Sequence, residues 1–560
     1  MQPTQHPAVN LPEIITAIGF FLPRKSIVAC LQVNSSFHSL LAPFIYRSLK
    51  IYSRHRASRR PSTQTLEHYA HLVHNLSINS VSKAYLTAGY RNLRSITLSG
   101  SRGNQNARIG TDDEILDALL QLVQDNPGLT SWILVDPWPQ IPACIWKAIA
   151  EMTTELDMLL LNNTRVSESA RPWFLMACRK TRRLHLKMVT VEGSGSNNNL
   201  TESTSSPLPP SLNAPFSPRI VRLDDVPGLS MLEQLEFLTR CQLLEDVFWR
   251  SVNQFTHIQL QMATEQGVSF IRAEMQRFFH SMAWPYLTSV HIENQGDYSD
   301  NALGRSLTDE SLGHLLKSIP SGRLKKLLCM GLGMGTEGLR SLSRHFSNLS
   351  VLNARGNTVI TSPVLQRLLE SCPQLTMIDA TELHIRDIRK GGPWVCTRMV
   401  DLHFSFNLWL EQGDVGWRDF TCSPLADKAQ DAVEISRFIQ DQHYIFDRLA
   451  KLTVLECLDV QVSPVRFNGV TGSGGSAMIH YGELDFRVSH GLEKLSALKE
   501  LRYLDVSAVY QRLEREDVEM MVLQWPKLDF LEGRLNSDKQ VEAILREYLA
   551  EHNIDKYLFE

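Results

Sequence analysis

A chain of 560 residues is too long for one compact core of about 100 to 200 residues, and 43% apolar with 21% charged residues is not a disordered composition. Lys and Arg number 57 against 60 Asp and Glu, a net charge of -3, so nothing global draws the chain to nucleic acid or to an anionic membrane. Nine cysteines stand singly with no C-x-x-C pair, and the N-terminus MQPTQHPAVN has neither a basic nor an apolar leader region. Reduced, mostly buried thiols, no signal peptide, no membrane span and a cytoplasmic or nuclear location are therefore expected.

Residues 11 to 49 differ from all that follows. Pro12 suits the first turn of a helix carrying Ile14, Ile15, Ile18, Phe21 and Leu22, and Pro23 ends it. Ser26 can cap a second helix with Ile27, Cys30, Leu31 and Val33, and Ser35 a third with Phe37, Leu40 and Leu41. So much apolar surface on three short helices implies a partner, or docking on the chain behind them. The basic run Arg54-His55-Arg56, Arg59-Arg60 reads as a solvated hinge. His68, His71 and His74 lack the cysteine or carboxylate pair that would complete a metal shell, so they read as surface histidines.

Beyond residue 90 a phrase of apolar residues at i, i+3 and i+5 recurs. It starts at Leu93, Leu129, Leu156, Leu287, Leu324, Leu349, Leu375, Met399, Leu455 and Leu501, with a shortened copy at Leu528. From Leu324 to Met399 the offsets are 25, 26 and 24 residues. Asn357 and Asn407 follow two copies, where an amide can satisfy backbone groups as a strand turns away. Between phrases the period changes to 3.6: Thr336 to Phe346 aligns Leu339, Leu342 and Phe346, and Pro363 to Leu369 aligns Val364, Leu365, Leu368 and Leu369. Each unit is thus a strand plus a helix, and neither buries its apolar side until neighbours stack. Residues 193 to 218, rich in Ser, Asn and Pro, read as a disordered insertion, with shorter insertions near 294–305, 412–426 and 464–475.

These phrases resemble the leucine-rich-repeat family in its longer, ribonuclease-inhibitor-like subtype. Met334-Gly335-Thr336-Glu337-Gly338-Leu339 and Leu307-Thr308-Asp309-Glu310-Ser311-Leu312 are similar to helix starts of such repeats. The first forty residues resemble the F-box, through Leu11-Pro12, Glu13-Ile14-Ile15, Ile18, Phe21-Leu22, Cys30-x-x-Val33 and Phe37. Pro43 to Leu49 is similar to the "LYRSL" ending of fungal F-box proteins, although one residue is missing between Leu-Pro and Glu-Ile and Phe37 stands for the usual Trp.

The resemblance implies a fungal F-box and leucine-rich-repeat protein of α/β class. A helical domain at 8–50 and a basic linker at 51–66 would precede a solenoid at 67–560, with parallel strands on its concave face and helices outside. It implies the substrate-recognition subunit of a Skp-cullin-F-box ubiquitin ligase. Leu11, Pro12, Ile14, Ile15, Ile18, Leu22, Ile27, Cys30, Val33 and Phe37 would dock the Skp-type adaptor, and through it a cullin-RING ligase. A target protein of unknown identity would meet a concave face including Lys326, Met330, Asn353, Arg355, Met377, Asp379, Asp401 and His403, among which no pair is an obvious acid and base. The alternatives are an interaction scaffold with no ligase role and, last, an enzyme.

No catalytic residue, metal ligand or cofactor is expected. Gly333-x-Gly335-x-x-Gly338 has the spacing of a dinucleotide fingerprint, but Ala354 and Arg355 stand where its acidic residue belongs, and the repeat already explains the glycines as a turn. Gly472-Ser473-Gly474-Gly475-Ser476 lacks the lysine of a phosphate loop.

Overall fold

The computed structural model describes residues 12–52, 61–79, 81–99, 113–135, 138–152, 156–192, 216–226, 229, 231–251, 273, 276–277, 283–294, 309–330, 334–355, 357, 360–408, 429–460, 484–507 and 511–554. Leu11, the basic run at 54–60, Gly333 and the insertions at 193–215, 412–426 and 464–475 lie outside these residues. The chain forms two units, Met1–Gln254 and Phe255–Glu560.

The first unit opens with three helices, α1 (Pro12–Phe21), α2 (Arg24–Cys30) and α3 (Ser35–Tyr46). Pro12 begins α1 and Pro23 separates it from α2, as the ring geometry requires. The caps differ from expectation. Asn34, not Ser35, caps α3 by accepting a 2.8 Å bond from the Phe37 amide, and α2 starts at Arg24 with no side-chain cap from Ser26. Ile15, Ile27, Leu41 and Ile45 make the bundle core, with Leu22, Cys30, Phe37 and Phe44 packed against it. The α1 backbone comes so close to α3 at Gly19 that a Cβ there would lie 2.8 Å from Leu41 and Phe44.

A parallel sheet follows directly. Its strands are β1 (Ser48–Ile51), β2 (Asn75–Ile78), β3 (Ser95–Ser99) and β4 (Ser131–Val135). After a short β5 (Trp138–Ile141) come β6 (Leu156–Asn162), β7 (Thr164–Val166), β8 (Thr181–Lys187), β9 (Thr190–Val191), β10 (Ile220–Asp224) and β11 (Asp246–Ser251). Neighbours run β1-β2-β3-β4-β6-β8-β10-β11, while β5, β7 and β9 pair in a small second sheet where the chain leaves the main strands. The order follows the chain, as stacked repeats require. One buried row runs Leu49, Leu76, Ile96, Trp132, Leu159, Leu184, Val221, Val247, and a second Ile51, Ile78, Leu98, Leu134, Leu161, Leu186, Leu223, Trp249.

The sheet starts at Ser48, inside the segment assigned to the helical domain, because Leu49 and Ile51 continue the two buried rows. Tyr46 at the end of α3 stacks on Tyr69 with centroids 3.9 Å apart, and Tyr69 also bonds His38, so the bundle is built onto the first repeat. Residues 216–218 do not belong to the insertion either. Phe216 is buried, with the Arg179 guanidinium 4.7 Å from its ring centroid.

In the second unit the strands are β12 (Ser289–Asn294), β13 (Lys326–Met330), β14 (Val351–Asn353), β15 (Met377–His384), β16 (Asp401–Asn407), β17 (Cys457–Asp459), β18 (Tyr503–Asp505) and β19 (Phe530–Glu532). All pair in parallel and in chain order. The buried row is Val290, Leu327, Leu352, Ile378, Leu402, Leu458, Leu504, Leu531, each fully enclosed. Helices 309–318, 336–342 and 362–371 lie between successive strands in sequence and bury Leu312, Leu315, Leu316, Leu342, Leu365, Leu368 and Leu369. This is the expected strand-plus-helix unit, repeated.

Buried polar groups join adjacent repeats. Asp309 accepts the amides of Gly335 (2.6 Å), Glu337 (2.8 Å) and Gly338 (2.6 Å), closing the start of the next helix with a charge suited to the helix N-terminus. His345, wholly buried, lies 3.2 Å through Nε2 from the Leu316 carbonyl, and its Nδ1 takes the Leu324 amide at 3.4 Å. Burial lowers the His345 pKa, the Leu316 bond opposing it and Arg344 adding to it. A depressed folded pKa means that this stabilisation is present above the unfolded value of about 6.5 and is lost as pH falls below it. Urea midpoints should therefore drop between about pH 7.5 and pH 5.5, and His345→Gln, less stable at the higher pH, should show a weaker drop. An equal drop in both proteins would assign the acid sensitivity to other groups.

Of the cysteines, Cys178, Cys241, Cys329, Cys372 and Cys396 are buried, Cys30 and Cys457 half-buried and Cys144 exposed, and these eight are free thiols. Burial pushes Cys329, Cys372 and Cys396 up to about 12, keeping them protonated. No helix among the described residues is long and apolar enough to cross a membrane.

Candidate recognition surfaces

The helical bundle divides the expected docking residues into two sets. Ile15 and Ile27 form its own core, and Leu22, Cys30 and Phe37 lean on that core, so these five hold the bundle together. Pro12, Ile14, Ile18 and Val33 face outward. Ile14, Ile18 and Phe21 repeat at i, i+4 and i+7, hence on one face of α1, and Phe21 is 89% exposed, Phe20 70% and Val33 61%. Phe20, Phe21 and Val28 were not among the expected contacts. Their signal was in the sequence, since a ten-residue helix with apolar residues all round cannot bury every one in a three-helix bundle.

The face of the second unit's sheet that lies between the buried positions carries two rows in register. One runs Lys326, Val351, Met377, Asp401, Cys457, Tyr503, Phe530 and the other Leu328, Asn353, Asp379, His403, Asp459, Asp505, Glu532. Lys326 is exposed, and Met330, Arg355, Met377, Asp401 and His403 are half-buried. Asn353 and Asp379 are buried and bonded to each other at 3.0 Å, which makes them poor contacts for a partner. Burial raises the Asp379 pKa, with Arg355 and His403 drawing it back.

One acid outside the expected set does meet a base within it. His403 Nδ1 lies 3.2 Å from Asp459 Oδ2, and its Nε2 faces the Cys457 sulfur at 3.8 Å. Burial by itself lowers the His403 pKa, but the Asp459 bond and the Cys457 contact overcome it and raise it to about 10. Asp459 and Cys457 were missed because the phrases at Leu402 and Leu458 stand 56 residues apart, too far to read as neighbouring strands. The chain between them, including helix Ala429–Leu449, leaves the sheet and returns to the adjacent position.

A cysteine, a histidine and an aspartate in line invite comparison with a nucleophilic triad. The surroundings do not support one. The Cys457 amide is spent on the Val400 carbonyl at 3.0 Å and the Asp401 amide on the Thr376 carbonyl at 2.9 Å. Neither amide is available to stabilise an oxyanion above an open sheet face.

Further along, the Tyr503 hydroxyl lies between the carboxylates of Glu532 and Asp505 (3.2 Å from the latter), to either of which it can donate, and burial together with these carboxylates pushes its phenol pKa upward. In the first unit the equivalent face carries Ile133, Leu160, His185, Arg222 and Phe248 in one row, beside Met158 and Arg183 in the next. Arg183 pairs with Asp157, Arg219 with Glu245 at 3.0 Å and Arg250 with Asp224 at 2.6 Å. The second unit's face is rich in carboxylates along one row, while the first unit's face mixes apolar and basic side chains.

Two glycines of the phrase, Gly335 and Gly338, have their amides occupied. Asp309 takes the Gly335 and Gly338 N–H groups that a cofactor phosphate would need, and a Cβ on Gly335 would lie 2.5 Å from its carboxylate. Gly335 and Gly338 serve this contact between repeats.

The class of protein these features define is an α/β solenoid of the leucine-rich-repeat type, fronted by a helical bundle. No family model and no curated protein matches the chain. A leucine-rich-repeat protein from Leptospira interrogans matches at TM-score 0.39 and 11% identity, over 88% of this chain and 98% of that one. An internalin from Listeria monocytogenes matches at 0.30 and 11%, over 72% and 81%. At these scores the fold assignment rests on the register of the sheet.

Proposed function

We propose that this chain is a non-enzymatic protein-recognition scaffold, whose bundle docks a Skp-type adaptor and whose repeats hold a target protein for a cullin-RING ubiquitin ligase. The observation that carries the reading is the uncovered apolar face formed by Ile14, Ile18 and Phe21, with Val28 and Val33 also exposed, on a bundle whose core is complete without them. An apolar surface of this kind on so small a unit needs a cover. Ligase function then requires no chemistry from this chain, because a tethered target lysine meets the charged enzyme at raised effective concentration.

The paired change Ile18→Asp and Val33→Asp should weaken adaptor binding by on the order of a hundredfold or more, since both sites are central apolar anchors in this reading. Circular dichroism should stay unchanged, because both side chains face solvent. Titration of purified chain with a Skp-type adaptor checks this; a folded wild type that binds none ends the ligase reading. A scaffold without a ligase role is the second reading, favoured by the Tyr46–Tyr69 stacking that makes the bundle a cap of the first repeat.

A further inference from the structure

Two neighbouring strands bring four side chains of three chemical kinds to one spot on the open sheet face. Asp401 and His403 project from β16, with Cys457 and Asp459 opposite them on β17 in register. The ligand atoms of Asp401, His403 and Cys457 all lie within 4.8 Å of one another. Thiolate, imidazole and carboxylate together are the donor set of a borderline-soft divalent ion, and three protein ligands with one open position describe a tetrahedral zinc site.

The separations agree with that assignment. Zinc bonds of about 2.3 Å to sulfur and about 2.0 Å to nitrogen, at a tetrahedral angle, hold S and N about 3.5 Å apart. Cys457 Sγ and His403 Nε2 are already 3.8 Å apart. The other ring nitrogen is engaged as metal-bound histidines require: His403 Nδ1 faces Asp459 at 3.2 Å, a carboxylate that fixes the ring and leaves Nε2 for an ion. The backbone contributes rigidity, since all four residues lie in sheet strands whose Leu402 and Leu458 are fully buried.

We propose that Asp401, His403 and Cys457 bind one zinc ion, with Asp459 orienting the histidine and the fourth position open on the sheet face. The site is independent of what the bundle docks. It joins the repeats on either side of the long excursion between residues 407 and 457, where two strands meet without a short connection.

Full-length chain, stripped with a chelator, should take up one Zn²⁺ in competition with a chromophoric chelator. Co²⁺ in its place should give a thiolate charge-transfer band and tetrahedral ligand-field absorption. Cys457→Ser and His403→Ala should abolish both signals, and Asp459→Asn should weaken affinity by about 10- to 100-fold while keeping the thiolate band. Melting of each metal-free variant, compared with metal-free wild type, verifies that the sheet still forms. Absence of metal uptake by the folded wild type would overturn the site, as would zinc binding unchanged in Cys457→Ser. Alkylation of Cys457 that proceeds at the same rate with and without Zn²⁺ would also overturn it.

Discussion

Replacing Asp309 by alanine should destabilise the second unit by about 2–4 kcal/mol, more than most single changes at a half-exposed position. The carboxylate closes three amides of the helix beginning at Thr336, two of them on Oδ1 and one on Oδ2. Removing it leaves these donors to water around a half-buried contact and cancels a favourable charge at the helix start. Asp309→Asn retains one acceptor and should cost roughly half as much. Gly335→Ala should also destabilise, because the new Cβ would lie 2.5 Å from the Asp309 carboxylate. Combining it with Asp309→Ala should then cost less than the sum, since the clash disappears with its partner. Chemical denaturation of the four proteins measures this coupling; strict additivity would mean the two residues act separately.

Leu458→Ala should cost about 2–5 kcal/mol, with Met377→Ala within about 1 kcal/mol of wild type. Leu458 is fully enclosed in the row between Leu402 and Leu504, so truncation leaves a cavity that flanking strands cannot collapse without losing their own ladder. Met377 points to the other face and is half-buried, so little apolar contact is lost. The contrast tests the solenoid itself, because in a repeat array damage to one unit is felt through its two interfaces. Equal effects would mean that the two positions do not lie on opposite faces of one sheet.

The repeat phrases from Leu93 to Leu528 were legible because their period-two apolar positions occur in Leu-rich runs. Five strands of the main sheet escaped notice: β1 with Leu49 and Ile51, β2 with Leu76 and Ile78, β8 with Leu184 and Leu186, β10 with Val221 and Leu223, and β11 with Val247 and Trp249. Each keeps the two buried positions but replaces surrounding leucines by polar or basic residues, as in Thr181-Arg182-Arg183-Leu184-His185-Leu186. In a stack the neighbouring strands supply the pairing, so a weak phrase still forms a strand where the local signal falls below notice.

By itself the sequence determined the kind of object this is: apolar positions of period two alternating with helical faces leave stacked strand-and-helix units as the way to bury both. It also marked an apolar helical bundle in front. Which apolar residues remain outside was decided by tertiary packing, because Ile15 and Ile27 close the bundle core while Ile14, Ile18 and Val33 do not reach it. The same holds for the cluster at His403. Asp401 and Cys457 stand 56 residues apart in sequence and become direct neighbours only because the chain between them leaves the sheet and returns to the next position, where parallel pairing sets their register.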